Sequence, residues 1–291
     1  MKKVTFLGPI GATFSHEAYV KFSQFFDIPK VFSDDYIPSR SNKDILKHIQ
    51  QHGGYGVVAM ETLAEGRVIE PLESFIELLQ EYSDTNSCPF RILGAIQIEL
   101  HFCLMVRPGI LESTIDTVLA HSKALGACKN HIADAGFKTI HTESNGEAAR
   151  LVAEDDVYAG CAALGPYSAA EKYGLQVLHH AYEDAKAYTT FFLIGPTSHQ
   201  VKVGTQNHAL IVFRLPHKPG ALVSCLKYFD EEHINLVQIH SLYVGNHTYD
   251  FAIEVEVSDS QLEALDRAVR LFNKSVDRSI CFGPFGIALS E

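Results

Sequence analysis

The chain has 291 residues, of which 46% are hydrophobic and 20% are charged, and its formal net charge is −11. That composition is typical of a globular protein, and the length suits two domains with well-formed cores. An acidic balance disfavours nucleic acids and anionic membranes as partners, because both select basic surfaces. No apolar run approaches the roughly 20 residues of a membrane helix, and the first residues lack the apolar core of a signal peptide. These features predict a cytoplasmic protein that binds neither nucleic acid nor membrane.

The cysteines and histidines do not form the pattern of a metal site. Six cysteines are scattered without a C-x-x-C pair, and no H-E-x-x-H spacing occurs among the 15 histidines. Most of the cysteines lie in apolar surroundings, where reduced core thiols are the expectation. The sequence therefore predicts no metal and no other cofactor.

Strand-like and helix-like patterns alternate over the first two thirds of the chain. Short apolar runs predict strands at residues 4–7, 57–60, 118–121 and 158–162. Helical spacing lies between them, at residues 44–51, 68–80, 123–135, 146–154 and 168–173. This alternation predicts an α/β architecture with mostly parallel strands. The apolar stretch 92–106 is too long for one average strand, so we expect a bent or crossover strand there. A chain that leaves one α/β lobe, builds a second and returns would place its ligand in the cleft between them.

A polar stretch at residues 196–207 carries both Pro and Gly and predicts a linker. After it, strand and helix patterns follow in the order β-α-β-β-α-β, which is the ferredoxin-like arrangement. The residues Pro219-Gly220-Ala221-Leu222, followed by Ile234-Asn235-Leu236, resemble an ACT domain, a small regulatory module that binds amino acids. The resemblance implies that Gly220, Ala221, Leu222 and His240 belong to a regulatory site. Dehydratases usually carry Glu-Ser-Arg-Pro on the second strand of this domain to bind phenylalanine, whereas this chain has His240-Ser241-Leu242-Tyr243. A domain that has lost phenylalanine feedback and acts mainly in oligomerisation is therefore the alternative.

A longer resemblance covers most of the chain. The segment Ala162-Ala163-Leu164-Gly165-Pro166-Tyr167-Ser168-Ala169-Ala170-Glu171-Lys172-Tyr173-Gly174-Leu175, followed by Glu183-Asp184 and Thr189-x-Phe191, resembles prephenate dehydratases. This family implies a two-lobed catalytic domain at residues 1–197, similar to type II periplasmic binding proteins, and an ACT regulatory domain at 206–291. In the family the triplet reads Thr-Arg-Phe, whereas this chain has Thr190 in place of the arginine.

Four further segments match the family and supply the candidate site. They contain Gly8-Pro9-Ile10-Gly11, then Glu61-Thr62, then His121-Ser122-Lys123, and finally Ser144-Asn145. By resemblance, the predicted catalytic residues are Thr189, Glu61 and His121. The predicted substrate-binding residues are Gly11, Thr13, Ser15, Thr62, Arg67, Lys123, Ser144, Asn145, Thr190 and Phe191.

Some of these residues also have structural interpretations. Thr13 or Ser15 suits a helix N-cap, and Ser144 with Glu147 reads as a capping box. Arg67 is either a surface residue or a replacement for the guanidinium missing at position 190, since arginine is the best donor to a carboxylate.

The family acts on prephenate, which carries two carboxylates, a ring diene and a hydroxyl. Dehydratases expel carbon dioxide and the hydroxyl together, whereas the related prephenate decarboxylases keep the hydroxyl and depart from the Thr-Arg-Phe triplet. The departures of this chain from the family pattern are at positions 62, 63, 67, 123 and 190. Because they fall in the loops expected to line the pocket, the sequence favours a decarboxylase over a dehydratase. A catalytically inactive small-molecule sensor is the alternative of another class. The resemblance also implies an amino-acid effector and a homodimer or homotetramer.

Overall fold

The computed structural model describes residues 3–26, 28, 35–62, 66–67, 69–199 and 206–289. The strands in this part are β1 (Val4–Leu7), β2 (Tyr36–Ser39), β3 (Tyr55–Thr62), β4 (Gly66–Arg67), β5 (Phe90–Leu100), β6 (Cys103–Val106), β7 (Thr117–Ala120), β8 (Lys138–His141), β9 (Ala162–Gly165), β10 (Gln176–His179), β11 (Ala187–Pro196), β12 (Gln206–Arg214), β13 (Asn235–Gly245), β14 (Thr248–Ser258) and β15 (Arg278–Leu289). The helices are α1 (Phe14–Phe25), α2 (Asn42–His52), α3 (Ile69–Glu77), α4 (Ser122–Ala127), α5 (Lys129–Asp134), α6 (Asn145–Glu154), α7 (Tyr167–Tyr173), α8 (Ala221–Glu231) and α9 (Leu262–Phe272). No helix among the described residues is long and apolar enough to cross a membrane.

The strands form two sheets, and the predicted α/β class is confirmed. The expected predominance of parallel strands is wrong: of the nine described strand pairs up to residue 196, four are parallel and five antiparallel, because β11 runs back along β3 and β5. One sheet has the order β13-β14-β12-β15-β5-β11-β3-β1-β2, with β4 added beside β3, and the other has the order β10-β6-β9-β7-β8. β1 pairs with β2 and β3 in parallel, and β7 pairs with β8 and β9 in parallel. The second sheet forms one lobe, and strands β1 to β5 and β11 of the first sheet form the other.

The two lobes are joined where the sequence predicts a crossover. β5 ends at Leu100 in the first sheet, and β6 begins at Cys103 in the second. The chain returns through β11, which pairs along its whole length with β5. His101 and Phe102 thus make the passage between the lobes, and a cleft lies between the two sheets.

The C-terminal third has the predicted β-α-β-β-α-β order, from β12 to β15. Its sheet does not stand alone, because the end of β15 pairs with β5 in parallel. Phe282 and Phe285 pack with Phe75, Phe90 and Phe192 of the first lobe in a shared core. The domain boundary proposed at the linker lies largely in residues 200–205, outside the described part of the chain.

Candidate active site

A cavity of about 390 Å³ lies between the two lobes. It opens beyond the carboxyl ends of β1, β2 and β7, which is where open α/β folds bind their ligands. Its polar and charged lining residues are Thr13, Ser15, Arg40, Ser41, Asn42, Glu70, His121, Ser122, Lys123, Glu143, Ser144, Asn145 and Thr189. Its apolar lining residues are Leu7, Phe14, Ala59, Leu100, Phe102, Ala127, Ala187 and Phe191.

Among the helices that begin at this cavity, three have hydroxyl N-cap residues that line it. Thr13 accepts a hydrogen bond from the amide of His16 at the start of α1, and Ser41 accepts one from Asp44 at the start of α2. Ser144 accepts one from the amide of Glu147 at the start of α6. The positive ends of three helix dipoles and their unpaired amides therefore meet in one cleft, which favours an anionic ligand.

The two lobes contact each other beside the cavity. The hydroxyl of Ser144 donates to the carbonyl of Gly8 in the opposite lobe at 2.7 Å, and Ser168 donates to Glu17 at 2.8 Å. The ammonium of Lys172 donates to the carbonyl of Ile10. These contacts hold the predicted Gly8–Gly11 turn against the second lobe and limit the width of the cleft.

The turn between β7 and α4 presents His121 to the cavity. Nδ1 of His121 accepts a hydrogen bond from the amide of Lys123 at 3.3 Å, and the His121 amide donates to the side chain of Asn145 at 2.9 Å. Because Nδ1 is an acceptor, the proton of the neutral imidazole is assigned to Nε2. His121 is thereby set as a hydrogen-bond donor through Nε2.

The crossing strand β11 turns alternate side chains toward the cavity. Ala187, Thr189 and Phe191 line it, and Thr189 is 4% exposed. Since strand side chains alternate between the two faces of a sheet, Thr190 falls on the opposite face, and it is absent from the cavity lining. A charged side chain at position 190 would therefore extend from the face of β11 that points away from the cavity.

The structure brings together eight of the predicted site residues, and each of them lines the cavity: Thr13, Ser15, His121, Lys123, Ser144, Asn145, Thr189 and Phe191. Gly11 does not line it, although its positive φ of 74° suits a glycine turn beside Lys172. The side chains of Glu61, Thr62 and Arg67 lie outside the described part of the structure. Backbone register places Glu61 between Thr190 on β11 and Arg67 on β4.

Sequence reasoning missed Arg40, Glu70 and Glu143, which are the other charged residues of the cavity lining. Arg40 follows β2, a strand that the sequence did not predict. The signal that could have found it is Ser41 with Asp44 three residues later, which marks a helix start directly after Arg40. The carboxylate of Glu70 accepts a hydrogen bond from the amide of Lys43 at 3.1 Å, in the first turn of α2.

A second cavity, of about 500 Å³, lies in the C-terminal third. Gly220, Ala221 and Leu222 line it, together with the cations Arg214 and Lys218 and the carboxylate of Asp277. His240 does not line this cavity, and its Nε2 is buried with no hydrogen-bond partner among the described residues. The arrangement offers both signs of charge to a small zwitterion.

Comparison with known proteins identifies the group of proteins to which this fold and cavity belong. The family model for prephenate dehydratase matches residues 4–199. A prephenate dehydratase of Methanocaldococcus jannaschii is 33% identical over 269 residues, covering 91% of this chain and 92% of the relative. A prephenate dehydratase of Corynebacterium glutamicum is 28% identical over 282 residues, with 92% and 83% covered.

Solved structures share the fold at lower identity. The prephenate dehydratase of Arthrobacter aurescens in complex with L-Phe superposes with a TM-score of 0.80 at 23% identity, covering 98% of this chain and 89% of that one. GqqA, described as a novel type of quorum-quenching acylase, superposes at 0.77 with 20% identity and covers 99% and 98%. These likenesses show the fold alone, which is found with two differently described activities. On the family match and the archaeal relative, the chain belongs to the prephenate dehydratase family.

Proposed function

We propose that this protein is a lyase that removes carbon dioxide from prephenate. The observation that carries the proposal is the interlobe cavity, where three helix N-termini and the cations Arg40 and Lys123 face an apolar wall. Prephenate is a ring with two carboxylates, so it needs cationic groups at one end of the site and apolar surface at the other. Family membership supports the same substrate, since the relatives from Methanocaldococcus jannaschii and Corynebacterium glutamicum are prephenate dehydratases.

The chemistry begins with the ring carboxylate. Its bond to the ring breaks, carbon dioxide leaves, and the electron pair moves into the ring. In a dehydratase the pair expels the C4 oxygen, which takes a proton; in a decarboxylase a ring carbon takes the proton instead. We assign the Thr189 hydroxyl and the Nε2–H of His121 as donors to the C4 oxygen. We assign Lys123 to stabilise the negative charge that enters the ring as carbon dioxide leaves.

The finer proposal is that the hydroxyl stays on the ring. It is supported by the sequence departures at positions 62, 63, 67 and 190, which separate this chain from the Thr-Arg-Phe form of the family. Thr190 lies on the face of β11 that points away from the cavity, in register with Glu61 on β3. An arginine at this position would therefore affect the cavity through β3 rather than line it. We propose that Arg67 replaces the guanidinium missing at position 190, since the backbones of Arg67 and Thr190 are both in register with Glu61.

A dehydratase is the second candidate, and one observation favours it. Thr189, the residue assigned by resemblance to the departing hydroxyl, is retained and lies in the cavity. The two reactions share substrate, cavity and first bond broken, so they differ only in the fate of the C4 oxygen.

Identification of the product separates the candidates. Purified protein is incubated with prephenate at neutral pH, and the product is followed by absorbance and by mass, with a protein-free sample as control. We expect dihydro-4-hydroxyphenylpyruvate; phenylpyruvate would establish the dehydratase instead. Tight binding of prephenate without turnover would favour the sensor.

We also propose that the C-terminal unit is an ACT domain with an amino-acid effector in the cavity lined by Gly220, Ala221 and Leu222. Lys218 suits the carboxylate of an amino acid and Asp277 suits its ammonium group, while Arg214 is already paired with Asp250. The similar structure from Arthrobacter aurescens was solved with L-Phe, which makes phenylalanine the first ligand to try. Calorimetry with L-Phe tests this, and heats indistinguishable from dilution would reject phenylalanine as the effector.

A homodimer or homotetramer is proposed as well. β13 is the edge strand of the large sheet, and it exposes Val237, Ile239 and Tyr243 along one row. Exposed apolar rows on edge strands are unfavourable in a monomer. Light scattering should give two or four times the chain mass, and a monomer at micromolar concentration would refute the proposal.

A further inference from the structure

We propose that Arg40 binds the carboxylate that prephenate keeps, and thereby directs the carboxylate that leaves toward the apolar wall of the cavity. This inference rests on the proposed function, and it assigns a positioning role to a residue outside the segments of this chain that resemble the family. The kept carboxylate belongs to the pyruvyl side chain, and the leaving one is attached directly to the ring.

Arg40 is placed at the open end of the cavity. It follows β2, directly precedes the N-cap Ser41, and is exposed to solvent. It lines both the main cavity and an adjoining pocket of about 250 Å³, so its side chain stands where the two meet. Within the described ranges, Arg40 makes no hydrogen bond or ion pair. Its guanidinium is therefore available for a planar carboxylate, which it can bind through two parallel hydrogen bonds.

The other charged groups of the lining are arranged differently. Glu70 is already an acceptor for the first turn of α2, and Glu143 is exposed on the opposite lobe, where it also faces the adjoining pocket. Lys123 is half-buried on the second lobe and has interactions of its own. Arg40 is thus the cation through which the first lobe can hold an entering anion, next to the amides at the start of α2.

Another part of the cavity wall is apolar and buried. Leu100, Phe102 and Phe191 are 6%, 3% and 2% exposed, and Phe14 packs edge-on against Phe102 with ring centroids 5.2 Å apart. A carboxylate placed there loses its water, which raises its free energy more than that of a transition state in which the charge spreads into the ring. Holding the pyruvyl carboxylate at Arg40 gives the ring carboxylate this position, whereas the reverse orientation would hydrate the group that must leave.

The test compares Arg40→Ala and Arg40→Lys with the parent, using prephenate as substrate and phenylpyruvate as a competitive inhibitor. Phenylpyruvate has the pyruvyl carboxylate but no ring carboxylate, so it reports which carboxylate Arg40 binds. Arg270→Ala is the matched control, because Arg270 is an exposed arginine of α9 that contacts only the carbonyl of Asp266 among the described residues. Thermal unfolding of each variant confirms that folding is retained.

We expect Arg40→Ala to raise both the KM for prephenate and the inhibition constant of phenylpyruvate by about 10- to 100-fold, with kcat changed far less. Lysine should restore part of the loss, and Arg270→Ala should match the parent. A raised KM with an unchanged inhibition constant would overturn the orientation, and no change in either would overturn the role of Arg40. If the parent does not turn over prephenate, the proposed function fails by itself; calorimetric binding of phenylpyruvate to parent and Arg40→Ala then decides the role of Arg40 separately.

Discussion

Replacing Thr189 by valine is expected to lower kcat on prephenate by about 100- to 1000-fold, with a much smaller change in KM. Valine has nearly the same shape, so the substitution removes the hydroxyl from the cavity and leaves the packing of β11 with β3 and β5 in place. The loss is expected in kcat because the Thr189 hydroxyl, by holding the C4 oxygen, fixes the ring in the orientation in which its carboxylate can leave. In the dehydratase candidate it also stabilises the charge that develops on the departing oxygen. Steady-state kinetics with prephenate measure the effect.

Three further variants sharpen this result. Thr189→Ser keeps a hydroxyl and should recover part of the activity, while Thr139→Val is a control in an exposed strand of the second lobe. Thr190→Val alters the neighbouring residue on the opposite face of β11. An equal loss of kcat in Thr189→Val and Thr190→Val would contradict the assignment of Thr189, because only one of the two side chains lines the cavity.

The largest effect on stability is expected from Arg214→Met. Arg214 on β12 makes two hydrogen bonds of 2.6 and 2.7 Å with Asp250 on β14, and the side chain of Asp250 is fully buried. Hydrogen bonding to Asp250 raises the pKa of Arg214. Without Arg214 the carboxylate stays buried without its cation, so we expect the free energy of unfolding to fall by about 3–5 kcal/mol.

An exposed pair of the same geometry provides the control. Arg267 also makes two hydrogen bonds with one carboxylate, that of Glu232, but the Arg267 side chain is 50% exposed. Arg267→Met should therefore cost about 1 kcal/mol or less. Urea unfolding followed by far-ultraviolet circular dichroism measures the free energy of unfolding of both variants. Equal losses of free energy would show that burial of Asp250 does not determine how much its ion pair contributes to stability. The double substitution Arg214→Met with Asp250→Leu should recover much of the loss, since no unpaired charge remains.

Local patterns predicted much of the fold, because they depend on residues close in sequence. Ser144 is the N-cap of α6, as its spacing to Glu147 indicates, and His121 stands at the start of α4. The apolar stretch from 92 to 106 crosses between the sheets as expected. The helix predicted at 123–135 is instead divided at Cys128 into α4 and α5, a break that no Pro or Gly signal at that position marks.

The unpredicted parts depend on partners far apart in the chain. β8 is exposed on every residue and β2 has no fully buried one, so neither shows the alternation that marks a strand. Arg40 was missed for this reason, since it follows β2. Likewise, the hydrogen bond from Ser144 to the carbonyl of Gly8 joins residues 136 positions apart, which no local pattern can predict. The face on which Thr190 lies becomes apparent only when Ala187, Thr189 and Phe191 are seen along the same cavity wall.

Release of carbon dioxide from prephenate is the most direct test of the proposed lyase. The gas evolved at neutral pH is measured against the prephenate consumed, for the parent, for Thr189→Val and for a protein-free blank. We expect saturable, protein-dependent release of one carbon dioxide per prephenate, greatly slowed in Thr189→Val. Release no faster than the blank, at protein concentrations that bind prephenate, would contradict the assignment of this cavity to a lyase.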